Sequence, residues 1–210
     1  MGTRIFKLWL VKGVVDIATM PQERFDDYFQ KNEQFKNNLG VRDLLFGRIW
    51  SDENLTHYGV ELYPDWKAVR EHNRCMEEEH FYQYLRSDIF LGVDPNPDPL
   101  PLKPLEASVY AEGITQIWLA SMLPAFYEAD QSVMTEAEQV MSLHGTLGIH
   151  NLLNVKTRPI DETWDGWGIE VYPSMEVLLE KSRAQEKMKW WKYIQARTFL
   201  GTVESGELVR

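Results

Sequence analysis

Five histidines are the side chains of this sequence best suited to move a proton near neutral pH. His57 stands beside an aromatic residue at the start of an apolar segment, and His72 lies in the charged segment that follows. His150 begins a corresponding apolar segment later in the chain. Each could deprotonate a phenol, an enol or an activated C–H bond. We predict that the catalytic acids and bases are His57, His72 and His150.

The other two histidines are expected to be structural. His80 follows three consecutive glutamates, and a residue in such an acidic run is usually solvated. His144 lies near the end of a predicted helix, where the helix dipole favours a cation. No HxH, HxxxH or HExxH motif occurs, so we expect no metal site.

Aromatic residues are the second candidate for a functional role. The chain has 8 tryptophans, whose amphipathic rings line apolar pockets while offering one polar atom. The alternative is a large aromatic core. We predict an apolar or aromatic small molecule as the substrate, bound by Trp9, Tyr58, Trp118 and Trp167.

Charge and cysteine content exclude other classes. The net charge of −10 and the pI of about 5.0 disfavour nucleic acid as a partner. The single Cys75 has no second cysteine to pair with, which fits a reducing compartment. The apolar N-terminus is too short for a membrane span and lacks the pattern of a signal peptide. We therefore expect a cytoplasmic protein that does not associate with a membrane.

The same order of residues occurs twice, about 109 residues apart. Five blocks match in order, and such self-similarity indicates a duplicated fold. We therefore divide the chain into an N-terminal repeat, residues 1–105, and a C-terminal repeat, residues 106–210. The matched blocks are Lys7–Val11 with Gln116–Ala120, Gly40–Leu45 with Gly148–Leu153, Tyr58–Pro64 with Trp167–Pro173, Phe81–Leu85 with Trp190–Ile194, and Phe90–Gly92 with Phe199–Gly201.

Each repeat reads as strand, helix, strand, strand, helix and strand. In the first repeat we expect the second helix to begin at about Trp66 and to break once before Phe90. We expect a proline-rich connector to follow and Leu105–Tyr110 to form the closing strand. In the second repeat we expect helices over Pro124–Leu143 and Ser174–Leu200 and a closing strand over Gly206–Val209.

This order is the ferredoxin-like βαββαβ unit, whose antiparallel sheet carries both helices on one face. The strands are apolar on both faces, so the open face of each sheet needs a cover. The sequence predicts an α+β fold in which two such sheets pack into a barrel, a pseudo-dimer within one chain. A monomer or a homodimer would satisfy this arrangement.

On element order and duplication, the chain resembles a tandem, single-chain member of the dimeric α+β barrel superfamily. The resemblance implies an enzyme, because this superfamily includes cofactor-free monooxygenases, polyketide cyclases, decarboxylases and isomerases, and haem enzymes such as chlorite dismutases and aldoxime dehydratases. Its haem-binding members take the proximal histidine from the C-terminal half, whose second predicted helix, Ser174–Leu200, contains none.

Glu61 and Glu170 match each other within apolar strands, where a carboxylate with a raised pKa could serve as a general base. Because both repeats have this glutamate, we expect instead that the two meet between the sheets or bond along a strand. The preferred hypothesis is a cofactor-free enzyme of secondary or aromatic metabolism, a cyclase, isomerase, decarboxylase or monooxygenase, in which the pocket holds one reactive conformer and the histidines act on it. The alternatives are a haem-dependent enzyme of the same fold and a non-catalytic protein that binds a small ligand.

Overall fold

The computed structural model describes residues 4–12, 21–83, 85–95, 102–104, 112–157, 160–161 and 163–209. Within these ranges the strands are β1 (Ile5–Lys12), β2 (Arg42–Ile49), β3 (Leu55–Tyr63), β4 (Arg86–Val93), β5 (Leu102–Pro104), β6 (Ile114–Met122), β7 (His150–Lys156), β8 (Gly166–Tyr172) and β9 (Ile194–Val209). The α-helices are α1 (Gln22–Leu39), α2 (Trp66–Glu78), α3 (Pro124–Tyr127), α4 (Gln131–Leu147) and α5 (Met175–Lys187).

Eight of the described strands form two antiparallel four-stranded sheets, and the short β5 pairs with the end of β9. The N-terminal sheet has the order β2-β3-β1-β4, and the C-terminal sheet has the order β7-β8-β6-β9. One seam between them is the single pair Val93–Lys156, and the other runs along β2 and β9 from Leu45 to Ile49. Two seams close the sheets into a barrel, which confirms the predicted α+β barrel. The division into repeats at residue 105 stays a prediction.

The barrel interior is the main core. Because successive residues of a strand point to opposite faces, alternate positions of each strand enter it. Leu8 and Leu10 of β1 and Ile117 and Leu119 of β6 are completely buried there. Burying one such side chain contributes about 1.5–3 kcal/mol. The residues between them face outward, toward the helices, and these outward positions carry the polar groups discussed below.

Local signals explain where the helices begin and end. Asp65 accepts a hydrogen bond from the Ala68 amide at the start of α2, and Asp130 accepts from the amide of Val133 in α4. The helices α1 and α4 end at Gly40 and Gly148, both of which have a positive φ that glycine adopts without strain.

The predicted second helices are too long, and the strands that close each sheet begin earlier than predicted. Helix α2 stops at Glu78, and β4 supplies the closing strand instead of Leu105–Tyr110, which lies outside the described residues. Helix α5 stops at Lys187, and β9 begins well before Gly206. His80 and Lys189 take a positive φ after these helices, and neither is a residue type that marks a helix end in a sequence.

The first helix of the second repeat is also divided. The expected helix Pro124–Leu143 is broken between Tyr127 and Gln131 into the short α3 and the longer α4. Asp130 causes the break, because its side chain caps the amides that begin α4. None of the described helices is both long and apolar enough to cross a membrane.

Candidate ligand site on the C-terminal sheet

Each sheet presents a row of four residues to its helices, centred on a tryptophan. Residues paired across neighbouring strands point to the same face, so the strand registers define these rows. The row of the N-terminal sheet is Phe46, Gly59, Trp9 and Ile89. The row of the C-terminal sheet is Asn154, Gly168, Trp118 and Thr198.

The tryptophan ring lies flat against the neighbouring glycine in both rows. A Cβ atom added to Gly168 would lie 2.3 Å from Cζ2 of Trp118, and one added to Gly59 would lie 2.0 Å from Cζ2 of Trp9. Such distances are far below van der Waals contact. The glycines are therefore required for the rings to lie on the sheet.

The two sheets differ in what surrounds the ring. In the N-terminal sheet, Phe46 lies 6.1 Å from Trp9 between ring centroids, and Ile89 flanks the tryptophan on its other side. The C-terminal sheet has exposed Asn154 and Thr198 at these positions. The next row of the two sheets also differs. In the N-terminal sheet it consists of Arg48, His57, Val11 and Ser87, and in the C-terminal sheet it consists of Lys156, Gly166, Ala120 and Ala196.

We call the surface formed by Trp118, Ala120, Gly166, Gly168 and Ala196 the C-terminal floor. It has one bulky ring, which lies flat, and otherwise only glycine and alanine. A planar ligand could approach such a surface closely, because no side chain stands up from it.

The helices above the C-terminal floor do not close onto it. Helix α4 has 17 residues and buries none of them, although apolar residues recur along it at helical spacing. Its counterpart in the N-terminal repeat, α1, buries only Lys36, and α5 buries two residues where its counterpart α2 buries four. A cavity of about 410 Å³ lies between α4 and α5, with Val140, Leu143 and Met188 among its lining residues. This volume is within the range of small-molecule sites.

A buried polar cluster borders the C-terminal floor. Glu170 lies in the row above Gly168, and its carboxylate lies 2.6 Å from the ammonium of Lys181 on α5. Tyr172 donates a hydrogen bond to the Glu170 carboxylate at 2.5 Å. Burial and the adjacent Glu170 raise the pKa of Tyr172, so its phenol stays protonated. The cluster therefore contains one buried anion and one buried cation.

His144 of α4 faces this cluster. Its Nε2 lies 3.5 Å from Oε1 of Glu170 and is buried without a hydrogen-bond partner among the described residues. Burial and the nearby Lys181 lower the pKa of His144, so its imidazole is neutral. Because Nε2 faces the Glu170 carboxylate, Nδ1 is the nitrogen of this neutral imidazole that would be left to bind a metal.

The N-terminal sheet carries a related cluster. The hydroxyl of Tyr63 lies 2.6 Å from Oε2 of Glu61 and 2.6 Å from Nδ1 of His72. Lys7 supplies the cation, 3.2 Å from Glu61. Burial alone would raise the pKa of Glu61, but Lys7 and the hydrogen bond from Tyr63 hold it below its usual value. Burial lowers the pKa of His72 to about 4.

Glu61 and Glu170 do not meet between the sheets. Both lie on outer faces, separated from the barrel interior by their own sheets, and each bonds to the tyrosine two residues along its strand. Of the two arrangements expected from the sequence, bonding along a strand is the one observed.

The three histidines predicted to be catalytic are not brought together. His57 is half-buried and stacks on Phe46 with 5.6 Å between the ring centroids. His72, on α2, is only 1 % exposed. His150 is exposed at the start of β7 in the other sheet. Their catalytic roles stay predictions, and the described residues contain no group of three side chains that could hold a metal ion.

The aromatic residues predicted to bind substrate divide into two pairs. Trp9 and Trp118 are half-buried on the outer faces, where a ligand can reach them. Tyr58 and Trp167 are completely buried in the barrel interior among the core leucines. The two pairs therefore lie on opposite faces of the sheets.

Sequence reasoning missed His144, because its position near a helix end suggested a role with the dipole. A signal was present in the repeat. His144 follows Lys36 by 108 residues, the spacing that also relates Gly40 to Gly148, and Lys36 is buried at 6 % exposure. A position buried in the first repeat is expected to face inward in the second.

Comparison of structures shows which proteins share this fold. Chlorite dismutase from Candidatus Nitrospira defluvii, in complex with imidazole, superimposes with a TM-score of 0.72 over 95% of this chain and 91% of that chain, at 12% identity. A mutant of it in complex with cyanide gives 0.71 over 95% and 90%, at 13% identity. A putative chlorite dismutase, TA0507, gives 0.67 over 98% and 96%, at 10% identity.

At these identities the likeness shows the fold, and the chain has the chlorite dismutase-like α+β barrel over almost its whole length. No protein-family model matches the sequence, and no curated protein matches it significantly.

The preferred hypothesis of a cofactor-free cyclase, isomerase, decarboxylase or monooxygenase is wrong on this comparison. The structural neighbours are chlorite dismutases, which belong to the haem enzymes of the superfamily. The lack of a histidine in the second helix of the C-terminal half does not exclude haem. His144 lies on an earlier helix of that half, α4, and faces the sheet.

Proposed function

We propose that this chain is a haem-dependent enzyme that binds haem between the C-terminal floor and the helices α4 and α5. The observation that carries the proposal is the contrast between the two sheets. The N-terminal row carries the bulky, exposed Phe46 and Ile89, whereas the C-terminal sheet keeps a flat surface under a helix that buries no side chain.

The residues present fit the group. The C-terminal floor is flat and apolar, a cavity of about 410 Å³ lies between α4 and α5, and the neutral His144 turns Nε2 toward Glu170, which leaves Nδ1 for the iron. An imidazole is a common axial ligand of haem iron. His144 would hold the iron, and Trp118 would pack against the macrocycle.

The buried cluster would position His144. Lys181 and Tyr172 both contact Glu170, so the carboxylate is held in place beside the imidazole. A carboxylate next to a ligating histidine sets the orientation of the ring and its basicity. When bound, haem supplies a redox-active iron that binds and activates a small molecule.

Titration of the purified protein with ferric haem, followed by the Soret absorbance, tests the proposal. We expect a shifted Soret band that saturates at a single equivalent, and chlorite is the first substrate to test because the structural neighbours act on it by name. Absence of saturable haem uptake would overturn the proposal. Haem uptake without chlorite turnover would leave the haem site in place and exclude chlorite as the substrate.

A further inference from the structure

Lys156 is a cation at the edge of the C-terminal floor that forms no salt bridge with the described residues. It pairs with Gly166 across β7 and β8, so its side chain lies on the same face as the floor. It is exposed, and no carboxylate of the described residues lies within salt-bridge distance of its ammonium. The C-terminal sheet therefore presents a positive charge that nothing in the described chain neutralises.

The matched position in the N-terminal sheet is neutralised. Arg48 precedes Lys156 by 108 residues and occupies the same place in its row, and its Nε lies 2.7 Å from Oε1 of Glu204 across the β2–β9 seam. The residue that matches Glu204 at a spacing of 109 is Pro95, which has no charge. Among the described residues, Arg48 of the N-terminal sheet therefore has a carboxylate partner, and Lys156 beside the floor has none.

A neutral hydrogen-bonding group lies next to this cation. Asn154 is two residues before Lys156 on β7, so the two side chains leave the same face of the strand about 7 Å apart along it. Asn154 is exposed and shares its row with Trp118. An ammonium and a carboxamide at this spacing can hold the two oxygens of one anionic group.

We propose that Lys156 and Asn154 form a subsite for an anionic oxygen group of a ligand that lies on the C-terminal floor. The inference rests on the proposed haem site and adds the chemistry of its β7 edge. Two sources carry such a group: the carboxylates at the edge of a tetrapyrrole, and a small free anion bound beside it.

Binding of iron-free protoporphyrin IX, followed by quenching of tryptophan fluorescence, tests the first source, with the uncharged dimethyl ester as the comparison. In Lys156→Gln we expect the affinity for the acid to fall about fivefold, as for an exposed ion pair, and the affinity for the ester to stay unchanged. Lys156→Arg should restore most of the affinity. The matched control is Arg48→Gln, which should change neither.

The second source is tested by titrating azide into the haem-loaded protein and following the Soret band. A loss of azide affinity in Lys156→Gln, with porphyrin affinity unchanged, assigns the subsite to a free anion and supports the proposal. Equal affinities of wild type and Lys156→Gln for the acid, the ester and azide overturn it while leaving the haem site intact. If neither porphyrin binds to the wild type, the proposed function and this subsite both fail.

Discussion

The phenol oxygen of Tyr63 lies 2.6 Å from Nδ1 of His72. Tyr63 has one proton and donates it to the ionised Glu61, also at 2.6 Å, so Nδ1 of His72 donates to the phenol oxygen. Nε2 of His72 then has no proton, and the side-chain amide of Asn32, 2.8 Å away, must turn its NH2 group toward it. His72 is neutral in this arrangement, because burial lowers its pKa to about 4. The cluster thus links α2 to β3 through one uncharged imidazole.

The first prediction concerns acid stability. The folded pKa of His72 lies below the unfolded value of 6.5, so folding favours the neutral form. The contribution of His72 to the unfolding free energy is therefore fully present above pH 6.5. About 3 kcal/mol of it is lost as the pH falls toward 4. Urea unfolding at several pH values should show a steeper loss in the wild type than in His72→Gln.

His57→Gln is the control for this prediction, because His57 is half-buried on the same sheet. It should keep the wild-type dependence on pH. Equal slopes for His72→Gln and the wild type would mean that His72 is not held neutral by the fold.

The second prediction concerns the buried cation of the C-terminal cluster. Lys181→Met leaves Glu170 buried and unpaired, and loss of one partner of a buried pair costs about 3–5 kcal/mol. In the N-terminal sheet, Lys7 of β1 supplies the buried cation, and the matching residue in the C-terminal sheet is Gln116 of β6. Adding Gln116→Lys to Lys181→Met should therefore recover part of the unfolding free energy.

Urea unfolding of the single and double variants measures this recovery. Lys187→Met, an exposed lysine of the same helix, should stay within about 0.5 kcal/mol of the wild type. A double variant no more stable than Lys181→Met would show that the strand position cannot supply the charge in the C-terminal sheet.

The third prediction separates the two tryptophan rows. Gly168→Ala and Gly59→Ala each place a Cβ within 2.3 Å of a tryptophan ring and should each lower the unfolding free energy by about 1–3 kcal/mol. Only the C-terminal row borders the proposed haem site. Haem titration should therefore show weaker binding in Gly168→Ala and wild-type binding in Gly59→Ala. A loss of affinity in both variants, or in Gly59→Ala alone, would contradict this assignment.

Much of the fold follows from the sequence. The repeat of Tyr58–Pro64 in Trp167–Pro173 and the strands apolar on both faces indicate two packed sheets, and the structure has them. The strands that close each sheet begin earlier than the sequence indicates, because His80 and Lys189 end the preceding helix segments without glycine or proline. Tertiary packing of β4 and β9 against the first strand of each sheet determines those ends.

The candidate site was only partly predictable. Trp118 was singled out by its aromatic type, but its role depends on Gly168 and Thr198, which join it only through strand register. His144 was missed because the uncovered face of α4 depends on how far the helix stands from the sheet. Periodicity indicates an apolar face on a helix and does not indicate whether the sheet fills it.

The central claim is that His144 holds haem iron above the C-terminal floor. Titration of ferric haem into the wild type, His144→Ala and His150→Ala, followed by the Soret band, tests it most directly. We expect the wild type and the exposed-site control His150→Ala to give the same saturable band. His144→Ala should lose that band or bind haem with a shifted one that added imidazole restores. An unchanged Soret band and haem affinity in His144→Ala would show that His144 does not hold the iron.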